Sequence, residues 1–339
     1  MNNTFFNLTI EERQIIISKA AIHMGVSDMI IEKDLWVCWV LAQLFTLPVQ
    51  MVFKGGTSLS KVFNIIKRFS EDCDITIDYR YFTEKKIDLE KSSRSQLKKI
   101  SEELKIELKN YVHHIVRPFL LKQIKNQFPT QKFEIILSED GEKLEFYYPS
   151  IMSHSIFYLR DHVLLEFGIR NSTEPCDKYQ ITPYVMSAIE SKIQLPKSLV
   201  NTLSPIRTFW EKVTLIHVEC HRERLHQTPE RLSRHWYDLY MLNHSSIGLE
   251  ALDRLDILDS VLEYKRAFFN ASYANYDNCK TGDLRLIPFS EYHEALEKDY
   301  AMMIDAGMFY QTPPLFSEMI ISLEKLEFDI NQKILQAYH

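Results

Sequence analysis

Glycine is scarce in this sequence, with 8 in 339 residues, and the 5 cysteines form no C-x-x-C pair. The odd count and wide spacing of Cys38, Cys73, Cys176, Cys220 and Cys279 argue against a disulfide framework or a zinc ribbon and suit a reducing compartment. Internal repeats, low-complexity tracts and Gly/Ser linkers are also missing, so domain limits must be read from changes of pattern. The N-terminal MNNTFFNLTIEERQ lacks the basic start and long apolar run of a secretory signal. One long stretch lacks charge: LWVCWVLAQLFTLPVQMVF spans 19 positions, residues 35–53, long enough to raise a membrane span. Gln43, Thr46, Pro48 and Gln50 interrupt it, so the expectation is a buried helix, a turn at Pro48 and a buried strand, in a cytoplasmic protein without a membrane segment.

What is present is ordinary for a globular chain: 45% hydrophobic and 25% charged residues. The length allows a core domain plus an appended lobe. A net charge of −6 gives no overall affinity for nucleic acid. The average conceals residues 85–125, where 11 Lys and Arg stand against 5 Asp and Glu. That segment permits a basic approach surface on an acidic protein, or a solvated amphipathic helix.

Apolar spacing predicts helices over the first 45 residues and a strand at VQMVF, 49–53. A helix is then expected through TSLSKVFNIIKRF, 57–69, followed by a strand at CDITIDY, where Asp72, Asp74 and Asp78 share one face and Ile75 and Ile77 the other. Further strands are expected at 133–137, 144–148 and 163–169, and helices over 206–269 and 290–335. The change of texture at Ser204-Pro205 divides the chain into residues 1–204, bearing the sheet, and a helical lobe, 205–339.

Two of the rare glycines, Gly55 and Gly56, stand together at a strand end, before Thr57, Ser58 and a helix. Backbone N–H groups and two hydroxyls meet there in a volume suited to a phosphate, although Gly-Gly before a helix also serves as a plain tight turn, and the G-K-[ST] order of a P-loop is absent. Asp72 and Asp74, two apart on a strand, can converge on Mg²⁺, or Mn²⁺, or simply form a solvated face. In combination, glycine turn, helix and D-x-D strand form the arrangement that presents a triphosphate to a metal pair, which holds the attacking oxygen and the leaving pyrophosphate.

Five ordered blocks carry a resemblance: EKDLWVCWVLAQLF (32–45), FKGGTSLSKVF (53–63), RFSEDCDITI (68–77), FWEKVTLIH (209–217) and SRHWYDLYML (233–242). They resemble the AbiEii/AbiGii toxins, a nucleotidyltransferase branch found in type IV toxin–antitoxin and phage-defence systems. The resemblance implies an α+β fold, a mixed sheet flanked by helices with a helical C-terminal lobe, and transfer of a nucleoside monophosphate from an NTP. It implies nucleotide contacts at Gly55, Gly56, Thr57, Ser58 and Lys61, metal ligation by Asp72 and Asp74, and roles near the nucleotide for Lys212 and Asp238. Glu166, in HVLLEFGIR, is the candidate third metal ligand or an exposed strand residue. Lys212 can neutralise triphosphate charge; Asp238 can position that lysine or take a proton from the acceptor, with Arg234 one turn away to pair with it. His235 stands where relatives often carry an acid. The implied acceptor is RNA, the tRNA 3′ end first among candidates, and the implied partner is a cognate antitoxin. A protein hydroxyl as acceptor, or a nucleotide-binding regulator without turnover, are the alternatives.

Other features are discounted. His217, His221 and His226 have zinc-like spacing but lack the glutamate of an H-E-x-x-H site and lie among Arg222 and Arg224; with Arg231 they better suit a strip following RNA phosphates. Tyr147, Tyr148 and Tyr158 could stack on bases, but sheet-face packing is the simpler reading.

Overall fold

The computed structural model describes residues 4–83, 87–152, 159–189, 193–222 and 231–338. Lys85, Lys86, Tyr158, Arg224 and His226, weighed above, lie outside them. The first helix, α1 (Ile10–Met24), starts in a capping box: the Thr9 hydroxyl accepts from the Glu12 N–H, and the Glu12 carboxylate accepts from the Thr9 N–H. Helix α2 (Asp28–Leu44), capped by Ser27, buries every residue from Ile30 to Leu41. The uncharged run thus divides into a core helix, a turn, and strand β1 (Met51–Lys54). Among the described residues no single helix is long and apolar enough to cross a membrane, and α1 with α2 passes that test only as a pair bent by 109°.

Helix α3 (Gly55–Lys61) leads to β2 (Cys73–Ile77), then α4 (Arg94–Tyr111), α5 (Arg117–Gln127), β3 (Glu134–Leu137), β4 (Lys143–Tyr147), β5 (His162–Gly168), β6 (Cys176–Ile181) and β7 (Ser198–Leu203). The strands form one sheet in the order β3-β4-β5-β2-β1-β7-β6. It is mixed: β1 runs parallel to β7 and β2 to β5, and the other neighbours are antiparallel. Strands β6 and β7 have no counterpart among the expected strands. Strand β6 is an edge strand whose Asp177, Lys178 and Gln180 hide the apolar alternation that marks half-buried strands.

The remaining elements are helical: α6 (Pro205–Cys220), α7 (Arg234–Asn243), α8 (Ser246–Leu252), α9 (Leu255–Phe268), α10 (Asn278–Thr281), α11 (His293–Asp305) and α12 (Phe316–Tyr338). Two apolar clusters fill the interior. One joins α2 to the sheet, with Trp36 and Trp39 against Phe128 and Phe146. The other is built from α6, α7, α9 and α12, and also takes Ile30, Leu59, Ile66 and Phe69 from the first 70 residues.

The helix expected over 57–69 stops at Lys61. Asn64 takes a left-handed φ of 51°, and the chain then runs extended, with the Phe69 N–H donating to Met308 O (2.7 Å) and the Tyr310 N–H to Lys67 O (2.9 Å). Strand-like pairing with residues 308–310 overrides the helical spacing, and Ile66 and Phe69 bury themselves in the helical lobe instead.

Candidate active site

Gly55 and Gly56 sit where β1 turns into α3, and neither position has room for a side chain. At Gly55, with φ 77°, a Cβ would lie 2.0 Å from Asp74 Oδ2. At Gly56 it would lie 2.8 Å from Ser70 Oγ and 3.0 Å from Arg68 Nη2. The glycine pair therefore lets a carboxylate and a guanidinium lie directly against the backbone. The following hydroxyls serve the turn: Thr57 donates to the Asp72 carbonyl, and Ser58 donates to Gly55 O at 2.9 Å.

Asp72, Asp74, Lys212, Asp238, Gly55 and Gly56 share one cavity of about 240 Å³. Thr57, Ser58, Lys61 and Glu166 are not in its wall. Thr57 and Ser58 are wholly buried. Lys61 points the other way, into an ion pair with Asp34 of α2 and over the Tyr184 ring, 3.9 Å from its centroid. In this structure Lys61 therefore lies in a buried ion pair and not at the cavity where a phosphate contact was expected of it. Its partner belongs to the Glu32-Lys33-Asp34 triplet, every member of which is buried and bonded. Glu32 accepts from the Ile151 N–H (2.8 Å), Asp34 from the Tyr184 N–H (2.7 Å), and Lys33 donates to Glu71, next to Asp72.

Asp72 accepts from Arg160 Nη1 at 2.6 Å and from Arg234 Nη1 at 2.9 Å. Burial would raise its carboxyl, but Arg234 and Arg160 hold it below the usual carboxylate range. The expected pairing of Arg234 with Asp238 does not occur: Arg234 reaches across to Asp72. Asp238 instead takes Arg68 Nε and Nη2, each at 2.8 Å, and Lys212 Nζ at 2.8 Å. Although fully buried, it is held far below the ordinary carboxylate range by those two cations. His235, between them in the wall, lies 3.4 Å through Nδ1 from Lys212 Nζ; burial and Lys212 push it well below the usual imidazole range, so it is neutral.

Asp74 differs from its neighbours. Four charged residues cross the sheet in register, Lys54 on β1, Asp74 on β2, Glu166 on β5 and Lys143 on β4. Lys143 Nζ meets Glu166 at 2.9 Å and Lys54 Nζ meets Glu211 of α6 at 3.2 Å. Among the described residues Asp74 has no hydrogen bond or ion pair, and burial, then Glu166, then Asp72 raise it to about 7. A carboxylate crowded by like charge and left without a partner suits a hard cation. Asp72 keeps lone pairs for one beside its arginines. Among the described residues, no group of three or more His, Cys, Asp or Glu side chains stands ready to hold a metal.

His217 and His221 turn to other work. His217 Nδ1 accepts from the Arg285 N–H at 2.9 Å and Nε2 donates to Asn275 O at 3.1 Å, while His221 Nδ1 donates to His217 O at 2.8 Å. Tyr148 stacks on Trp36 and Tyr147 lies against His162. Arg68, Arg160, Lys54 and Lys265 are site residues that the sequence reading missed. Arg68 falls in the expected helix, Lys54 stands inside the glycine block without a signal of its own, and Arg160 and Lys265 lie outside the recognisable motifs.

The family model for the nucleotidyl transferase AbiEii toxin of type IV toxin–antitoxin systems matches residues 39–321. With its mixed sheet, helical flanks and carboxylate-bearing cavity, the protein is a nucleotidyltransferase. It belongs to the AbiEii family of toxins. No curated protein matches the chain. Among solved structures it is similar to MenT4, a nucleotidyltransferase toxin from Mycobacterium tuberculosis H37Rv, at 16% identity and a TM-score of 0.45, over 98% of this chain and 100% of that one.

Proposed function

We propose that this toxin transfers a nucleoside monophosphate from an NTP to the 3′ end of an RNA, tRNA being the leading acceptor, in the cytoplasm and under the control of a cognate antitoxin. One observation carries the reading: Asp74, a carboxylate without a partner among the described residues, faces the same cavity as Lys212 and Asp238 of the helical lobe, which Arg68 of the first lobe joins. The acceptor oxygen bonds to the α-phosphorus as its proton passes to solvent water, the bridge to the β-phosphate breaks, and pyrophosphate leaves. Asp72 and Asp74 are the residues that would hold Mg²⁺ or Mn²⁺, which would supply stabilisation of the developing negative charge. Glu166, beside Asp74 in register, is the third carboxylate of that set when Lys143 yields it.

Lys212 places its ammonium on the triphosphate, and Asp238 holds it there. A carboxylate bonded to both Arg68 and Lys212 and kept ionised far below neutral pH is a positioning group, not a proton acceptor. Residues 1–204 and 205–339 act as two lobes that share the site. An RNA acceptor is supported by α4 and α5, whose exposed Lys98, Lys109, Lys122 and Lys125 give a basic surface, α4 being packed on α9 beside the cavity.

The test is to incubate each α-labelled NTP with Mg²⁺, total RNA and cell protein, using the parent and an Asp72→Ala/Asp74→Ala variant. Label on RNA in the parent alone is expected. Label on protein selects the hydroxyl-modifying alternative, label on neither selects the regulator, and label surviving in the variant sinks the site.

A further inference from the structure

The charges lining the cavity pair off almost completely: Lys54 with Glu211, Arg68 and Lys212 with Asp238, Arg234 with Asp72. On the cationic side one residue is left. Lys265, at the end of α9, lines the cavity and has no ion pair among the described residues, its ammonium resting 5.0 Å from the centroid of the Phe269 ring. It stands in a local excess of positive charge. Three cations, Lys54, Arg207 and Lys265, gather around the single carboxylate of Glu211, which they hold below its ordinary range despite burial. Arg207 approaches Glu211 only to 3.7 Å, and its Nε is buried without a hydrogen-bond partner. Burial lowers Lys265; the Glu211 carboxylate, shared with two other cations, raises it, and Lys54 and Arg207 lower it further. An ammonium kept half-buried against like charge costs stability unless an anion arrives to meet it. That anion has to enter the cavity, because Lys265 faces it.

We propose that Lys265, with Lys54 beside it, is a second phosphate seat in this cavity, separate from the Arg68–Lys212 cluster on Asp238. A lysine binds phosphate as a point charge and needs no fixed fork geometry, which fits an ammonium on a flexible stem over an aromatic ring. The phosphate comes either from the tail of the NTP or from the backbone of the acceptor strand. The proposal rests on the transfer reading above only for the identity of that source.

The experiment titrates the metal-free parent, Lys265→Met and Lys265→Arg by calorimetry at one fixed low salt concentration. The probes are inorganic tripolyphosphate, each of the four NTPs, and a short single-stranded RNA with a free 3′ hydroxyl. Lys265→Met is expected to weaken at least one class of probe by about tenfold, with Lys265→Arg recovering most of the loss. Loss for tripolyphosphate and all NTPs alike assigns the seat to the triphosphate tail; loss for RNA alone assigns it to the acceptor backbone. The melting temperature of Lys265→Met without ligand is expected at or above the parent's, because an unpaired cation has been removed. If Lys265→Met binds every probe within about twofold of the parent, the seat does not exist, whatever its melting temperature, and the transfer reading is untouched. If tripolyphosphate binding needs Lys265 but neither NTP nor RNA binds the parent even with Mg²⁺ added, the seat stands and the transfer reading falls. A parent that binds no probe without Mg²⁺ overturns the seat, and one that binds neither NTP nor RNA with Mg²⁺ overturns the transfer reading.

Discussion

Arg68 and Asp238 are joined by two parallel hydrogen bonds, Nε to Oδ1 and Nη2 to Oδ2, each 2.8 Å, across 170 residues of sequence. The pair is buried and shares its carboxylate with Lys212. Arg68→Ala leaves a buried carboxylate with one cation and is expected to cost about 3 kcal/mol of stability in urea unfolding. Lys212 also loses its fixed position, so NMP transfer is expected to fall about tenfold or more in the folded enzyme. Arg68→Lys restores little, since one ammonium cannot reproduce the fork.

Asp74→Asn separates activity from stability. Transfer is expected to drop at least about a hundredfold, because the partnerless carboxylate is the one available to a cation. Stability moves the opposite way. A carboxyl raised to about 7 in the fold favours the protonated form, so its contribution is present below the unfolded value and is lost as pH rises through 7. Melting in chelator at pH 8 is expected to be higher for Asn than for Asp, and the gap is expected to narrow as pH falls below 7 and to close only below the unfolded carboxyl value of 3.8.

Lys61→Met tests the reassignment of that lysine. The variant leaves Asp34 buried with only the Tyr184 N–H and is expected to lose about 3 kcal/mol of stability. Its KM for NTP is expected to stay within about twofold of the parent's when measured below the melting transition. A large rise in KM with unchanged stability would return Lys61 to the nucleotide.

His217 gives a pH signature far from the cavity. Burial lowers it from 6.5 to about 4, with Nδ1 accepting and Nε2 donating in the neutral form. The unfolded chain takes up a proton below 6.5 while the fold resists until about 4, so stability falls over that window. Between pH 7 and 5 the loss is about 2 kcal/mol. Unfolding midpoints for His217→Gln are expected to be lower at pH 7 but flatter with pH.

Much of this was legible in the sequence because it is local. A strand running into Gly55-Gly56, a short helix, and D-x-D on the next strand follow from period, turn chemistry and charge. The α2 helix follows from ten uncharged positions at 35–44. What could not be read depends on distant partners. Phe63, Ile66 and Phe69 keep a helical spacing although the helix has ended, because residues 308–310 hold the chain extended there. The same pairing delivers Arg68, which no local signal marks. Lys61 lies one turn inside α3, where a phosphate contact is plausible by spacing, yet its direction is set by Asp34, 27 residues earlier. Lys265 carries no motif and gains its meaning only from the charges that surround it.

The extended segment 67–69 also sets an order of events during synthesis. Its partners, Met308 to Tyr310, lie far downstream and leave the ribosome long after it. Until they emerge, the segment that carries Arg68 has no template to hold it extended toward Asp238. A chain cut before residue 308 is therefore expected to lose NMP transfer although every residue lining the cavity is still present.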